Sequence, residues 1–396
     1  MNKTKIIPLY YWTCYFLDSE DGFYPTLDSN TVFKCFAQGK FLTGNGPDGR
    51  YYGHIVCDVI TLLIYLVGTF GFVTNVLNVF VLRKSLKGTS SLKTLLIILA
   101  VFELIACAFA MFFATTVELI MENVTRSEAT FYSLKLAHVL YTFGRTTAIY
   151  ITILVAIERY LVVAFPIQSK SWLSPLKSKI YLTIVIFLSI LLTMPWILNT
   201  SISKTNTAFV PNTTLANFPY ILKATDFGIK MYPKIRLFQL IMNYVAPFPL
   251  LLFFNGLLYR SIYMWNKNRQ ALSRNQKKEI GAAKMFSVVV LILLLCHSVS
   301  CVIVFASQYL QAIFRELMLL QMLSVTLSAA INFLVYFGFG KAFRDEFKKL
   351  MTSCKSFGGN SLDLEESTQT SRDKETSNSD ENKEQRMMKL NQLNKA

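Results

Sequence analysis

Seven apolar runs of roughly 20 residues or more dominate this chain, at about 57–82, 92–116, 133–157, 179–198, 237–258, 285–310 and 317–339. Each is long enough to cross the ~30 Å hydrocarbon core of a bilayer. In lipid every backbone N–H and C=O must find a partner inside the protein, so only helices and closed barrels span it. The runs are continuous rather than alternating, which selects helices. The whole chain is 53% hydrophobic and only 16% charged over 396 residues, too apolar for a soluble domain of that size. The expected fold class is an all-α membrane protein, a seven-helix bundle.

Two independent patterns predict its orientation. Lys and Arg crowd one side: Arg83, Lys84, Lys87 and Lys93 after the first run, Lys170, Lys177 and Lys179 after the third, seven cations between Arg260 and Lys284 after the fifth, and Lys341, Arg344, Lys348 and Lys349 after the seventh. The positive-inside rule assigns that side to the cytosol. Glycosylation sequons start at Asn2, Asn123, Asn199 and Asn212, all on the opposite side. The N-terminus is therefore expected outside and the C-terminus inside, in the plasma membrane. The patch Ile6–Trp12 holds Pro8 and no small-residue cleavage site, which argues against a removable signal peptide.

The expected divisions are an extracellular segment 1–56, the membrane domain 57–340, a surface helix 341–352 and a disordered cytoplasmic tail 353–396. In the surface helix Phe343, Phe347 and Leu350 share one face and charges the other, the pattern of a helix lying on the inner leaflet. The tail is rich in Ser, Thr, Asn and acids. The net charge of +16 sits in short loops beside helix ends. It reads as topology signal and contact with anionic lipid rather than nucleic-acid binding. None of the seven cysteines has metal-site spacing. Cys14 and Cys35 lie in the segment assigned to the oxidising side, where a disulfide and two free thiols are both open. Cys354 follows the surface helix, where palmitoylation and an inert thiol are both open.

The most specific motif closes the third run: Ala156-Ile-Glu158-Arg159-Tyr160, with Pro166 and Ile167 after it. It resembles the Asp/Glu-Arg-Tyr motif of rhodopsin-like (class A) G-protein-coupled receptors. In the same register the first run has Gly71-Phe-Val-Thr-Asn75, the second Leu99-Ala100-Val-Phe-Glu103-Leu104, the fifth Pro247 and Asn255, the sixth Cys296-His297, and the seventh Asn332-Phe-Leu-Val-Tyr336. The resemblance covers about residues 55–350. The Phe-Gly-x-x-Phe-Arg ending and Met194-Pro195 look most like invertebrate FMRFamide-type neuropeptide receptors. Val299 and Phe333 stand where the family has helix prolines. No Cys occurs between Cys107 and Cys296, so the family's bridge from the third helix to the second outer loop is absent, with Leu134 at its helix position. The long outer loop, about Asn199 to Arg236, must be held some other way.

The resemblance implies roles. Glu158, Arg159 and Tyr160 would govern coupling to a heterotrimeric G protein, with Pro166 and Ile167 presenting an apolar knob. Glu279 would join Arg159 in a clasp between the third and sixth helices, and Asn332 and Tyr336 would act in activation. The bland reading of Arg159 is an interfacial Arg that snorkels to headgroups. Glu103 is either part of a sodium-type site with Asn75 and Asn332 or a protonated, hydrogen-bonded acid. Ala148 and Ala329 remove ligands such a sodium site often has. Arg145 lies 14 residues before Arg159, roughly 21 Å along the helix at ~1.5 Å per residue. It is either an ion-pair partner of Glu103 or an anchor for a ligand's acid group or carbonyl. Tyr141 and His297 are companion candidates, each with an ordinary core role as the alternative.

The function expected is a receptor for an extracellular ligand, read as an FMRFamide-like peptide, with a G protein inside and a receptor kinase and arrestin at the tail. A small-molecule chemosensory receptor of the same fold is the alternative, and a seven-pass transporter or channel a remote one. Internal repeats and a Gly-rich filter are absent, and the scattered His54, His138 and His297 argue against a metallohydrolase. No enzyme activity, cofactor or metal is expected.

Overall fold

The computed structural model describes residues 47–85, 91–121, 127–204, 220–225, 227, 234–235, 237–267, 274–309, 314–341 and 343–352. Seven long helices run through them: α1 (Pro47–Ser85), α2 (Ser91–Met121), α3 (Glu128–Ala164), α4 (Pro175–Leu198), α5 (Pro247–Lys267), α6 (Arg274–Tyr309) and α7 (Phe314–Phe339). Six of them contain a span long and apolar enough to cross a membrane, and the remaining span, Leu237–Trp265, begins before α5 and runs into it. The seven-helix bundle expected from the apolar runs is therefore the fold. The helices outrun the apolar stretches, because intrahelical bonding continues into the polar ends.

Local chemistry sets several ends. Ser127 caps α3 by accepting from the Thr130 amide at 3.3 Å. At the other end Pro166 lacks the N–H needed to continue, and α3 stops at Ala164. A one-turn helix, Ser169–Trp172, follows. Ser174 caps α4, and Pro175 takes the first helical position, where a missing N–H costs nothing.

The third helix is the axis of the bundle, packed against α2, α4, α5 and α6, while α7 closes against α1, α2 and α6. Gly144 lets α2 and α3 touch: a Cβ there would lie 2.9 Å from the Ala106 amide nitrogen and 3.0 Å from the Phe102 carbonyl oxygen. One core cluster surrounds Phe131, Leu134, Tyr141 and Leu319. Two others, around Leu251 and Leu258, tie α3 to α5 and α6 nearer Arg159. Large apolar side chains such as Leu62, Leu66, Phe187, Leu188 and Phe253 point outward, an apolar girdle suited to lipid.

The segment after α4 contributes an antiparallel hairpin of β1 (Thr200–Lys204) and β2 (Tyr220–Ala224), with Ile202 opposite Leu222. Its hold on the bundle is non-covalent. Lys135 of α3 donates to the Thr200 carbonyl, Thr225 bonds the Asn199 and Leu198 carbonyls, and Ile202 and Tyr220 pack on the cluster that contains Leu134. Leu134 itself is 1% exposed. Packing and backbone bonds thus do what a bridge at that position would do.

In a second unit the described residues form helix α8 (343–352), in which Phe343 is buried, Arg344, Glu346, Phe347 and Leu350 are half-buried and Glu346 pairs with Lys349 at 3.3 Å. Asn2, Cys14, Cys35, Asn123, Asn212 and Cys354 lie outside the described residues.

Candidate functional site

The helix α5 is entered through a π turn, Ile241–Val245. Its cause is legible in the bonding. The Ala246 amide donates to the Ile241 carbonyl, five residues back, at 2.7 Å, so the Met242 carbonyl loses its usual partner. Pro247 and Pro249 then follow with no amide hydrogens to offer. Side chains from other helices complete the bonding. Tyr150 of α3 donates to the Met242 carbonyl at 2.8 Å. His297 of α6 meets the Tyr244 carbonyl at 3.0 Å; a carbonyl only accepts, so Nε2 carries the proton. Thr146 of α3 donates to the Asn243 side chain at 3.0 Å.

The side chain of Tyr244 is the centre of this junction. The guanidinium carbon of Arg145 lies 4.6 Å from its ring centroid. The His297 ring stacks on it with centroids 5.9 Å apart and planes 12° from parallel. Its hydroxyl accepts from Gln321 of α7 at 2.9 Å. Arg145 is only 4% exposed, and its Nε and Nη1 have no hydrogen-bond partner among the described residues. Beside it lies a cavity of about 40 Å³ lined by Glu103, Arg145, Cys296, His297, Ser300 and Ser324, among others. That is room for a few waters or a small chemical group.

Arg145 and Glu103 do not form the ion pair that was one of the two expectations. Glu103 instead accepts from the Asn332 side-chain amide. The guanidinium takes an aromatic face in place of a carboxylate. Asn75 also stays apart from Glu103: it donates to the carbonyls of Gly71 at 2.9 Å and Ala329 at 3.3 Å, and accepts from Asn78 at 3.2 Å. A sodium-type site does not fit these residues. One carboxylate oxygen is taken by an amide, Ala148 and Ala329 offer the cavity no side-chain oxygen, and Arg145 brings a positive charge to the same walls. Tyr141 is buried one turn above Arg145, its hydroxyl without a hydrogen-bond partner among the described residues. Asn199 follows the last residue of α4 and is 3% exposed.

At the far end of α3, Arg159 pairs with its neighbour Glu158 at 2.9 Å. The other oxygen of Glu158 accepts from Ser91 of α2 at 2.7 Å, and a hydroxyl–hydroxyl bond joins Ser91 to Ser178 of α4. Tyr160 packs on Phe165 and Phe254. Trp265 of α5 donates to the Val163 carbonyl at 2.9 Å, and Tyr336 lies against Phe286. Ile167, just after Pro166, is 85% exposed. Glu279 lies on α6, and its side chain is outside the described residues.

Residues 74–336 match the family described as 7 transmembrane receptor (rhodopsin family). The chain belongs to the rhodopsin family of seven-transmembrane receptors. Among curated relatives of this receptor, an "FMRFamide receptor" of Drosophila melanogaster is 29% identical over 207 residues, covering 52% of this chain and 37% of the relative. An "FMRFamide peptide receptor" of Caenorhabditis elegans is 23% identical over 308 residues, covering 72% and 66%. The receptor thus spans less than two thirds of the length of either relative. The matched family region contains both ends of α3 discussed above, so the Arg145 junction and the Glu158–Arg159 pair lie inside the rhodopsin-family domain. As a member of that family the chain is a receptor and not an enzyme.

Of the residues in these two clusters the sequence singles out Arg145, His297, Glu158 and Arg159, and not Tyr244, Gln321, Tyr150, Ser91 or Ser178. Two signals were available. Gln321 is an amide in an apolar span, which lipid makes costly. Pro247 and Pro249 two residues apart mark a helix start whose bonding must be irregular.

Proposed function

We propose that this receptor binds an extracellular peptide of the FMRFamide type, with its N-terminus outside the plasma membrane, and activates a heterotrimeric G protein from the Arg159 end. The observation that carries the ligand side is Arg145. Even the lowest insertion scales charge ~2.5–3.5 kcal/mol for an Arg at a helix centre. A desolvated cation–π contact returns about 2 kcal/mol. The contact with Tyr244 offsets much of that cost and leaves the N–H groups of the guanidinium for an acceptor. A peptide's terminal carbonyl or an acid group supplies one. The names of both relatives support the peptide class.

On the G-protein side, the Glu158–Arg159 pair keeps the guanidinium folded against α3, and exposed Ile167 is the apolar contact offered to the partner. Glu279 adds a second hold on Arg159 in the resting state. The Ser- and Thr-rich tail serves a receptor kinase and arrestin through added phosphate charge. The small size of the cavity favours one second reading, a small-molecule ligand. A screen in cells expressing the chain with a promiscuous G protein separates them. Calcium responses to FMRFamide and related amidated peptides, and none to small odorants, are expected. Responses to odorants alone would overturn the peptide reading.

A further inference from the structure

Three consecutive residues of the π turn reach three different helices. Met242 and Asn243 engage α3, and Tyr244 engages α3 through Arg145, α6 through His297 and α7 through Gln321. A regular helix would not present them this way, because the bulge both frees the Met242 carbonyl and turns Tyr244 toward the bundle axis. Tyr244 is the one side chain in this set that touches the buried cation and the two helices beyond it.

We infer that Tyr244 is the positioning residue of the ligand site: its ring fixes the plane of the Arg145 guanidinium, and its hydroxyl and stacked partner pass the occupancy of Arg145 to α7 and α6. The inference rests on Arg145 meeting the ligand. The physical logic is a division of the guanidinium's surfaces. Its face is taken by the ring, so its donors point in the plane, toward the acceptor class proposed above. An acceptor that draws Arg145 off the ring weakens the cation–π contact. The ring that Arg145 leaves is the same one that stacks on His297 and holds Gln321. Ring and hydroxyl therefore have separable tasks, the first in holding the cation and the second in reaching α7.

The separation is testable on the full-length receptor with FMRFamide as probe. Tyr244→Phe keeps the ring and loses the Gln321 bond; it should hold potency within about threefold and lower the maximal response. Gln321→Leu should reproduce that split, and the double variant should be no worse than either. Tyr244→Leu loses the ring; it should lower potency tenfold or more, and adding Arg145→Gln should cost nothing further. A merely structural tyrosine would lower surface level and response together, with additive losses, and that result would overturn the inference. Failure of the peptide reading is distinguished by a second measurement without ligand. In purified receptor the melting-temperature losses of Arg145→Gln and Tyr244→Leu should be non-additive. If wild type ignores FMRFamide and these losses are still non-additive, the ligand assignment fails while the Arg145–Tyr244 linkage stands. Additive losses overturn the linkage itself.

Discussion

Ser91 of α2 holds one oxygen of Glu158 at 2.7 Å while Arg159 holds the other at 2.9 Å. The carboxylate is therefore fixed from two sides, and the serine keeps it oriented toward the arginine. A hydrogen bond to a charged group contributes about 1.5–3 kcal/mol. Ser91→Ala should loosen the pair and raise basal signalling several-fold at matched surface expression. Arg159→Ala should abolish coupling while surface level persists. Unchanged basal output from Ser91→Ala would mean the serine is a passive neighbour.

Arg145 and Glu103 answer to different partners, so they should not rescue each other. Arg145→Gln is expected to reach the surface normally and to lose at least tenfold in agonist potency. Arg145→Lys should recover only part of it, since a point ammonium lacks the planar face that Tyr244 meets. Glu103→Gln keeps an acceptor for Asn332 and should be mild. Surface labelling beside dose–response curves decides the matter: poor trafficking of both single variants, cured in the double, would restore the ion-pair reading.

Gly144 sits where two backbones meet, one residue before Arg145. The atoms a new methyl would strike belong to the α2 main chain and cannot rotate away. Gly144→Ala should therefore cost about 1–3 kcal/mol, the usual range for overpacking, and reduce potency by displacing the next residue. Gly256→Ala, with nothing near its Cβ, is the control and should be silent. Equal melting temperatures for the two variants would count against the tight α2–α3 contact.

Tyr150→Phe removes the donor on which the Met242 carbonyl depends. A buried carbonyl left unpaired costs about 1–3 kcal/mol, so the purified receptor should melt several degrees lower. Tyr65→Phe makes a useful contrast. Its hydroxyl meets Thr115 at 2.9 Å, but Thr115 also bonds the Met111 carbonyl at 2.9 Å, so nothing is stranded. Comparable losses from the two would argue that the π turn satisfies itself.

The bundle was legible because lipid leaves a chain few choices. Seven long apolar runs and the Glu158–Arg159–Tyr160 ending of α3 carry the architecture and the family. What stayed hidden was which partner each polar group takes. Charge matching left Glu103 open as one of two partners for Arg145, and the group that faces the guanidinium is a neutral ring on a segment whose register shifts by a π turn. A 3.6-residue period says nothing about which carbonyl such a turn strands, so Tyr150 and Tyr244 left no readable trace.

The hairpin over the α3 end has one further consequence. Because no cysteine lies between Cys107 and Cys296, reductant has no bond to cut between α3 and this loop. Its described attachments are a lysine on a carbonyl, the Thr225 bonds to the end of α4, and two apolar side chains on the cluster around Leu134. The hold of this hairpin on α3 should therefore respond to temperature and packing and not to reducing agents.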